Sequence, residues 1–464
     1  MKKDAAKIII ISLTFLLIFG LNFNLNSNNQ DFWLHLAFGK YFLEEKNFPE
    51  EDVFNFTTEG KQEAMHEWLL QSIMYFFYIQ FGITSLIILK ALIVTLTFFI
   101  FYKLINKNFY LSILLTILAA FSVNYFSFIR PHIFAWLFIL LTFYLLKKEK
   151  YAFLPGLILL WTNMHASVVV GLFIIGVSLL EKAISKKDYK YILWIIICTI
   201  TSLINPNTYE VLLYPFQVTG FGQYVKEWMP FPLTSYPIYL YSGFILLSIF
   251  LFIKHKKIRP SEIIFFLAFA YLGFRARRDV ATAVLVITPL ISGRLYLSTR
   301  RSLDRNTFKD MLLIISLIIL TGISITSLNA FNPSIDYSAY PYDAVEFIKK
   351  KNIQGNIFNE DDFGGFLDFQ FGPTNRVFWD GRLPIHGEEM IYYYHVIKKQ
   401  LDGWDILVDR YNISIFLIKH DRDLEGKLLL DEDWKLVYVD GLSSVYVRDN
   451  EENKDLPSYQ LVKK

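Results

Sequence analysis

The chain has 464 residues, of which 54% are hydrophobic, 17% aromatic and only 19% charged. That balance is too apolar for a water-soluble domain of this length, and a net charge of +3 leaves no basic surface of the kind nucleic acid requires. The lone cysteine, Cys198, excludes an internal disulfide and a paired-cysteine metal site.

The first apolar run, residues 8–21, follows Met-Lys-Lys and resembles a signal peptide. No small-residue cleavage site follows it, only Asn-Phe-Asn-Leu-Asn, so it is read as a retained helix. A spanning helix needs roughly 20 apolar residues, fewer where neighbours thin the bilayer. On that criterion about eleven spans are predicted, beginning near Lys7, Ile83, Phe109, Arg130, Tyr151, Ala166, Tyr191, Ile238, Ser261, Val280 and Met311. Residues 68–82 fit either a membrane-plane helix or the start of a long tilted span.

Placing the N-terminus in the cytoplasm sorts the charges. The cytoplasmic turns are then 103–107, 147–150, 181–190, 254–259 and 294–309. With the N-terminus they hold roughly twenty Lys/Arg, against about eight in the external loops before the tail. This bias predicts that the chain from Asn332 onward is extracytoplasmic. Lys90 falls within a span, as a snorkelling or buried paired lysine or as a functional cation.

The unusual polar residues fall on the external side. The first external loop, 27–82, carries Asp31, His35, Asp52, His66 and Glu67. Later ones carry Arg130-Pro131-His132, Asn163 and His165, Asn205-Pro206, Glu227-Trp228, and the basic cluster Arg275, Arg277 and Arg278. Beyond 332 the composition changes. Helices are predicted over 342–351 and 390–401, strands over 356–359, 376–379 and 413–418, and a closing hairpin over 434–440 and 443–448. Alternating β and α units indicate a small α/β domain. The predicted architecture is an α-helical polytopic membrane protein with a C-terminal extracytoplasmic α/β domain. Its divisions are a transmembrane domain over 1–331, which includes the 27–82 loop, the α/β domain over 332–450, and a disordered tail over 451–464.

Asp31 and His35 stand at i and i+4, which puts both on one face of a helix. Asp31 is also a residue type that caps helix N-termini, and Trp33 is an interfacial anchor type. His66 and Glu67 could bring an imidazole and a second carboxylate near Asp31. Asp31, His35 and His66 do not follow a recognised ligand spacing, so no cofactor is named and a divalent metal is not favoured. Arg130, His132, Arg275 and Arg278 are candidate phosphate ligands, because guanidinium forks match phosphate oxygens; the bland alternative is headgroup snorkelling. Asn163 and His165 fit supporting roles or buried, satisfied polar groups. Asp361-Asp362-Phe-Gly-Gly and Asp380-Gly-Arg382 each follow a predicted strand, as ligand loops or as plain turns. Asp52 fits a turn or a supporting role.

These residues together resemble the C-type (GT-C) integral-membrane glycosyltransferase superfamily. It includes protein O-mannosyltransferases, aminoarabinose lipid transferases and the catalytic subunits of oligosaccharyltransferases. The matching run is Asp31, Trp33, His35 and Gly39, then Pro49 and Asp52, then His66-Glu67-Trp68-Leu69. Arg130-Pro131, Trp161-x-Asn163-x-His165, Asn205-Pro206, Glu227-Trp228, Gly364-Gly365 and Asp380-Gly381-Arg382 complete it. The nearest likeness is to a bacterial branch of largely unassigned role. Asp361-Asp362-Phe-Gly-Gly is similar to the Trp-Trp-Asp-Tyr-Gly acceptor motif of oligosaccharyltransferases but lacks both tryptophans.

The resemblance implies transfer of a sugar from a polyprenyl-phosphate donor to an extracytoplasmic glycan, lipid or protein, in a bacterial inner membrane. It implies Asp31 as the base, with His66 and Glu67 beside it. The phosphate would lie on Arg130, His132, Arg275 or Arg278. His35, Asp52, Asn163, His165, Asp362, Asp380 and Arg382 would support the site or meet the acceptor. The alternative is a non-catalytic protein on the same scaffold, such as a lipid-linked glycan transporter or an envelope assembly factor.

Overall fold

The computed structural model describes residues 2–25, 30–62, 65–105, 108–299, 307–326, 335, 337–420 and 422–459. Helix α1 (Lys2–Asn22) is followed by α2 (Gln30–Glu45) and α3 (Trp68–Phe81). Then come α4 (Ile83–Ile105), α5 (Phe109–Asn124), α6 (His132–Lys147), α7 (Leu154–Thr162), α8 (Val168–Lys186), α9 (Lys190–Thr201) and α10 (Glu210–Val218). The apolar series closes with α11 (Tyr236–Lys254), α12 (Pro260–Arg275), α13 (Asp279–Thr299) and α14 (Thr307–Thr326). Each of the predicted spans coincides with one of these helices. By length and composition, five among the described residues are long and apolar enough to cross a membrane: Asp4–Asn22, Ile83–Ile105, Val168–Lys186, Tyr236–Lys254 and Asp279–Ser298. The ambiguous stretch after Glu67 is a separate 14-residue helix, α3.

The chain divides into two compact units. A helical unit comprises Met1–Leu25 and Phe81–Pro333, and an α/β unit comprises Asn26–Gln80 and Ser334–Lys464. The first loop therefore groups with the tail, whereas the division drawn from composition runs in chain order. The expected boundary at 331–332 lies outside the described residues.

Helix is the natural state of the long apolar runs, because it satisfies every backbone group within the segment. Hydroxyls inside them turn back to the preceding turn. Thr14 donates to the Ile10 carbonyl (2.7 Å), Thr116 to that of Ser112 (2.7 Å) and Thr142 to that of Phe138 (2.8 Å), so none needs a distant partner. The core joins α4 (Val94, Phe98, Phe101), α5 (Ala119, Ala120, Val123), α6 (Ile133, Trp136, Leu140) and α13 (Ala281, Leu285). Lys90 is 1% exposed and does not snorkel. Its ammonium donates to the backbone carbonyl and Oδ1 of Asn24 (2.7 and 2.8 Å) and to the Ser127 carbonyl (3.3 Å). It ties the end of the α1 segment to that of α5.

In the α/β unit, α15 (Tyr342–Lys350) leads into β1 (Asn356–Asn359), and α16 (Gly364–Phe371), α17 (Leu383–Lys398) and α18 (Trp404–Arg410) precede β2 (Ile413–Lys419). After α19 (Arg422–Leu430), β3 (Trp434–Val439) and β4 (Ser443–Arg448) form the predicted hairpin. Sheet order is β1-β2-β4-β3. β1 runs parallel to β2, with Ile357 opposite Ile415, and the other pairs are antiparallel, with Tyr446 opposite both Phe416 and Leu436.

Residues 376–379 do not form the predicted strand. Val377 makes single bridges to Ile357 and to Asn55, and its amide donates to the Phe54 carbonyl at 3.0 Å. Beyond it, Trp379 and Asp380 turn toward Arg382 and α17 instead of extending the ladder. Trp33 is not an interfacial anchor. It is 1% exposed, inside a ring of Tyr78, Tyr340, Phe366 and Phe369 with centroids 5.2–6.4 Å away. Of the tail expected to be disordered, the Tyr459 amide bonds to the Leu436 carbonyl (2.9 Å); residues 460–464 lie outside the described residues.

Candidate functional site

The predicted residues fall into separate clusters, with more than one in each unit. In the helical unit, Glu227 gathers two arginines from distant parts of the chain. Its Oε1 lies 3.2 Å from Arg130 Nη1 and 4.0 Å from Arg278 Nη1. Two backbone bonds fix the segment: the Arg278 amide donates to the Glu227 carbonyl (3.2 Å) and the Arg277 amide to that of Met229 (3.1 Å). Arg278 stacks over Trp228 at 4.5 Å and Arg130 over Phe128 at 5.3 Å. His132 opens α6, and its Nε2 is 2.7 Å from the Phe126 carbonyl. Arg275 ends α12 and is exposed. Two arginines on one carboxylate leave excess positive charge, which an anion can use.

Asn163 and His165 build a joint between connections. Asn163 Nδ2 donates to the Leu159 and Ile204 carbonyls (2.9 and 2.8 Å), Thr162 to that of Ser202 (2.8 Å), and Asn205 Nδ2 to Thr162 Oγ1 (3.3 Å). His165 Nδ1 accepts from the Ser167 amide at 3.0 Å and lies 2.7 Å from its hydroxyl.

In the α/β unit, Asp31 sits in the first turn of α2, where the helix dipole favours a carboxylate. His35, one turn on, lies with its Nδ1 3.4 Å from Glu67 Oε2 and 3.2 Å from Gln71 Nε2. His66 Nε2 is 3.7 Å from Glu67 Oε1. Gly39 allows this packing: a Cβ there would fall 2.1 Å from the Gln71 carbonyl. Among the described residues no group of three or more His, Cys, Asp or Glu is placed to hold a metal ion.

Asp361 brings a second carboxylate near Asp31. Burial raises its pKa above the usual carboxylate range, and the charges of Asp362 and Asp31 add to this against a hydrogen bond from Trp379 Nε1 (2.7 Å). Asp362 pairs with Lys419.

Asp52, Asp380 and Arg382 meet inside the unit. Arg382 Nη2 lies 2.9 Å from both oxygens of Asp52, and its Nε 2.6 Å from Asp380 Oδ2. Asn55 accepts from the same guanidinium and Thr58 donates to Asp52. His386 Nε2 stands 3.1 Å from Asp380 Oδ1. Phe38 covers the guanidinium at 5.0 Å. Arg382 is 7% exposed and Asp380 3%. Gly364 permits the close approach: a Cβ there would fall 2.2 Å from the Trp379 carbonyl and 2.5 Å from Asp380 Cα. The glycine of the Asp-Asp-Phe-Gly-Gly motif thus meets backbone of this unit.

Sequence reasoning missed Asn55, Asp368 and His386. The one available signal was Asp368, a lone acid within the apolar run of α16, where a buried charge needs a partner. Neither Asp368 oxygen meets an N–H or O–H donor. Burial, with the charges of Asp380 and Asp52, raises its pKa well above the carboxylate range despite Arg382. The neighbouring Asp380 is shifted the other way, its pKa depressed by Arg382 and His386. For Asp368 the folded state binds the proton more tightly than the unfolded chain. Its contribution is full below about pH 4 and is lost as pH rises toward the folded pKa. Asp380 acts oppositely and loses its contribution as pH falls below about 4. Asp368→Asn should flatten the decline in melting temperature above about pH 4 while leaving the loss below it in place. An unchanged decline above that pH would remove Asp368 as its source.

No family model matches the sequence, and no curated protein matches it. Solved structures do. The fold is similar to the archaeal oligosaccharyltransferase AglB from Archaeoglobus fulgidus in complex with an inhibitory peptide and a dolichol-phosphate. The TM-score is 0.61 at 11% identity, over 98% of this chain and 75% of that one. The Archaeoglobus fulgidus oligosaccharyltransferase in its apo form gives a TM-score of 0.60 at 10% identity, over 97% and 74%. At such identities the likeness is one of fold, shared with these archaeal oligosaccharyltransferases.

Proposed function

We propose that this protein is a multi-pass membrane glycosyltransferase that moves a sugar from a polyprenyl-phosphate-linked donor to an extracytoplasmic glycan, lipid or protein. The observation that carries the reading is Asp31, a carboxylate opening the helix after the first apolar one with Asp361 nearby. It stands on a fold similar, over 98% of the chain, to an oligosaccharyltransferase in complex with an inhibitory peptide and a dolichol-phosphate.

In this reading Asp31 takes the proton of an acceptor hydroxyl. The oxygen bonds to the anomeric carbon as the bond from that carbon to the phosphate oxygen breaks. Polyprenyl phosphate leaves with the electron pair, and the anomeric centre inverts in the single displacement. Arg130, His132, Arg275 and Arg278 stabilise the charge that grows on the phosphate. His66 and Glu67 assist Asp31, with His35 held against Glu67. Asp362 meets the acceptor, Asn163 and His165 brace the helical unit, and Asp52, Asp380 and Arg382 position the loops that carry Asp361.

About eleven helices span a bacterial inner membrane in this reading, with the N-terminus cytoplasmic and the 332–450 domain outside. Alkaline phosphatase fused at the C-terminus should be active and fused at Lys187 inactive; the reverse pattern inverts the topology. Function is tested in proteoliposomes holding the purified protein, radiolabelled polyprenyl-phosphate sugars and an envelope extract. Label should pass to the extract. Label that crosses the bilayer without leaving its lipid would replace the enzyme reading with a transporter.

A further inference from the structure

We propose that Lys419 and His420 are positioning residues for Asp362. Together they form a latch that holds the 360–363 loop when the His420 ring is charged and releases it when the ring is neutral. The consequence for catalysis rests on the reading above, in which Asp362 meets the acceptor; the latch itself rests on the geometry of the α/β unit.

Lys419 closes β2 and His420 follows it, and the two engage different partners. Lys419 pairs with Asp362 and lies over the Phe363 ring at 5.3 Å. Beside it the Glu360 amide donates to the Leu417 carbonyl (3.3 Å), so the end of β2 carries the loop. The His420 ring stands between two acceptors. Its Nε2 lies 2.7 Å from the Asp440 carbonyl and its Nδ1 3.2 Å from Glu425 Oε1. Both acceptors are fixed. Asp440 Oδ1 accepts from the amides of Leu442 and Ser443 (2.7 and 2.8 Å), and Glu425 Oε1 accepts from the Ser444 hydroxyl (2.5 Å).

A carbonyl only accepts, so Nε2 carries a hydrogen, and only the imidazolium donates at both nitrogens. The neutral ring keeps the Asp440 bond and turns a lone pair at Nδ1 toward the Glu425 carboxylate. Ser444 Oγ, 3.4 Å from Nδ1, can satisfy that lone pair only by taking its hydrogen away from Glu425. That carboxylate is 9% exposed, and losing a donor there is costly. Among the described residues, the charged groups that face the ring are Glu425 on α19 and Asp440 in the β3–β4 turn. Tyr446 and Tyr438, next to those acids, are held above the usual tyrosine range, chiefly by burial. Burial lowers the His420 pKa, but the bond to the Asp440 carbonyl and the bond and charge of Glu425 outweigh it, and the net shift is upward. A raised folded pKa makes the latch complete below about pH 6.5 and lost as pH rises through the folded value.

The test is hydrogen–deuterium exchange of the full-length protein in nanodiscs at about pH 5.5 and about pH 8.5, either side of the ordinary histidine range. Rates are corrected for the intrinsic pH dependence of amide exchange. In the wild type, residues 360–364 should exchange at least about threefold faster at the higher pH, together with 423–430 and 440–445. His420→Gln should exchange at the wild-type alkaline level at both values. Glu425→Gln should move the transition to lower pH, which keeps the test decisive where His420→Gln fails to fold. Lys419→Met should leave 423–430 and 440–445 sensitive to pH while 360–364 no longer follows them. Equal exchange of 360–364 at both values in the wild type overturns the proposal, as does a pH dependence there that survives His420→Gln or Lys419→Met. The KM for acceptor tests the consequence: it should rise at least about threefold between the two pH values in the wild type and not in His420→Gln. A flat KM beside the expected exchange pattern counts against Asp362 as an acceptor contact and leaves the latch standing.

Discussion

Asp31→Asn should lower sugar transfer by about two to four orders of magnitude, the usual contribution of a positioned general base, while the protein stays folded. The amide matches the carboxylate in size and keeps an oxygen at the first turn of α2, but it cannot take up a proton. The structural loss includes the interaction of one charge with the helix N-terminus, roughly 0.3–1 kcal/mol. Removing the charge also relieves Asp361, whose pKa Asp31 helps to raise, so the variant should not be less stable for that reason. Single-turnover transfer in proteoliposomes, beside melting temperature and detergent chromatography, separates the effects. Full turnover by a folded Asp31→Asn protein would take Asp31 out of the mechanism. Asp361→Asn is the informative companion. If Asp361 only shapes the field around Asp31, its loss should shift the pH profile more than the maximal rate.

Arg382→Met should destabilise the α/β unit by about 3–5 kcal/mol, the range for stranding the partners of a buried ion pair. Methionine fills similar volume and still packs on Phe38 and Phe54, so the effect isolates the charge. Without the guanidinium, Asp52 and Asp380 remain buried with no cation between them, next to Asp368, and at least one must take up a proton or draw in water. The loss should be largest near neutral pH and shrink under acid conditions as those carboxyls are protonated. Combining Arg382→Met with Asp52→Asn and Asp380→Asn should recover much of it, because the cost lies in the unpaired charges and not in the absent pair. Thermal melts of the three proteins across pH would settle this. A single variant that melts with the wild type would mean that water already reaches the network.

The motifs read from the sequence fared according to what they depend on. Asp31 and His35 follow from spacing alone, since a helix through residues i and i+4 puts them on one face, and α2 runs through both. Glu227 with Trp228 was recognisable as unusual, but its use as a common partner for Arg130 and Arg278 was not. Those residues are separated by 97 positions in one pair. Asn163 and His165 of Trp161-x-Asn163-x-His165 read as supporting residues or as satisfied buried polar groups, and the motif folds as a hydrogen-bonded joint to the Ser202–Asn205 turn.

By itself the sequence determined the membrane character and the helix positions, because a long apolar run in lipid has only its own backbone to bond with. It determined β1, β2 and the closing hairpin for a similar local reason, alternation and turn chemistry. Only the tertiary structure decided that residues 52–58 belong with the tail, 330 positions from Asp52 to Arg382. Asp, Asn and Thr at a loop carry no periodic signal, and the contact forms only after a long closure that local preference does not favour. For the same reason the Asp-Gly-Arg segment reads equally well as an exposed ligand loop or as an interior tie. Its burial beside Phe38, Phe54 and His386 chose between them, because a guanidinium out of water must find its carboxylates within the fold.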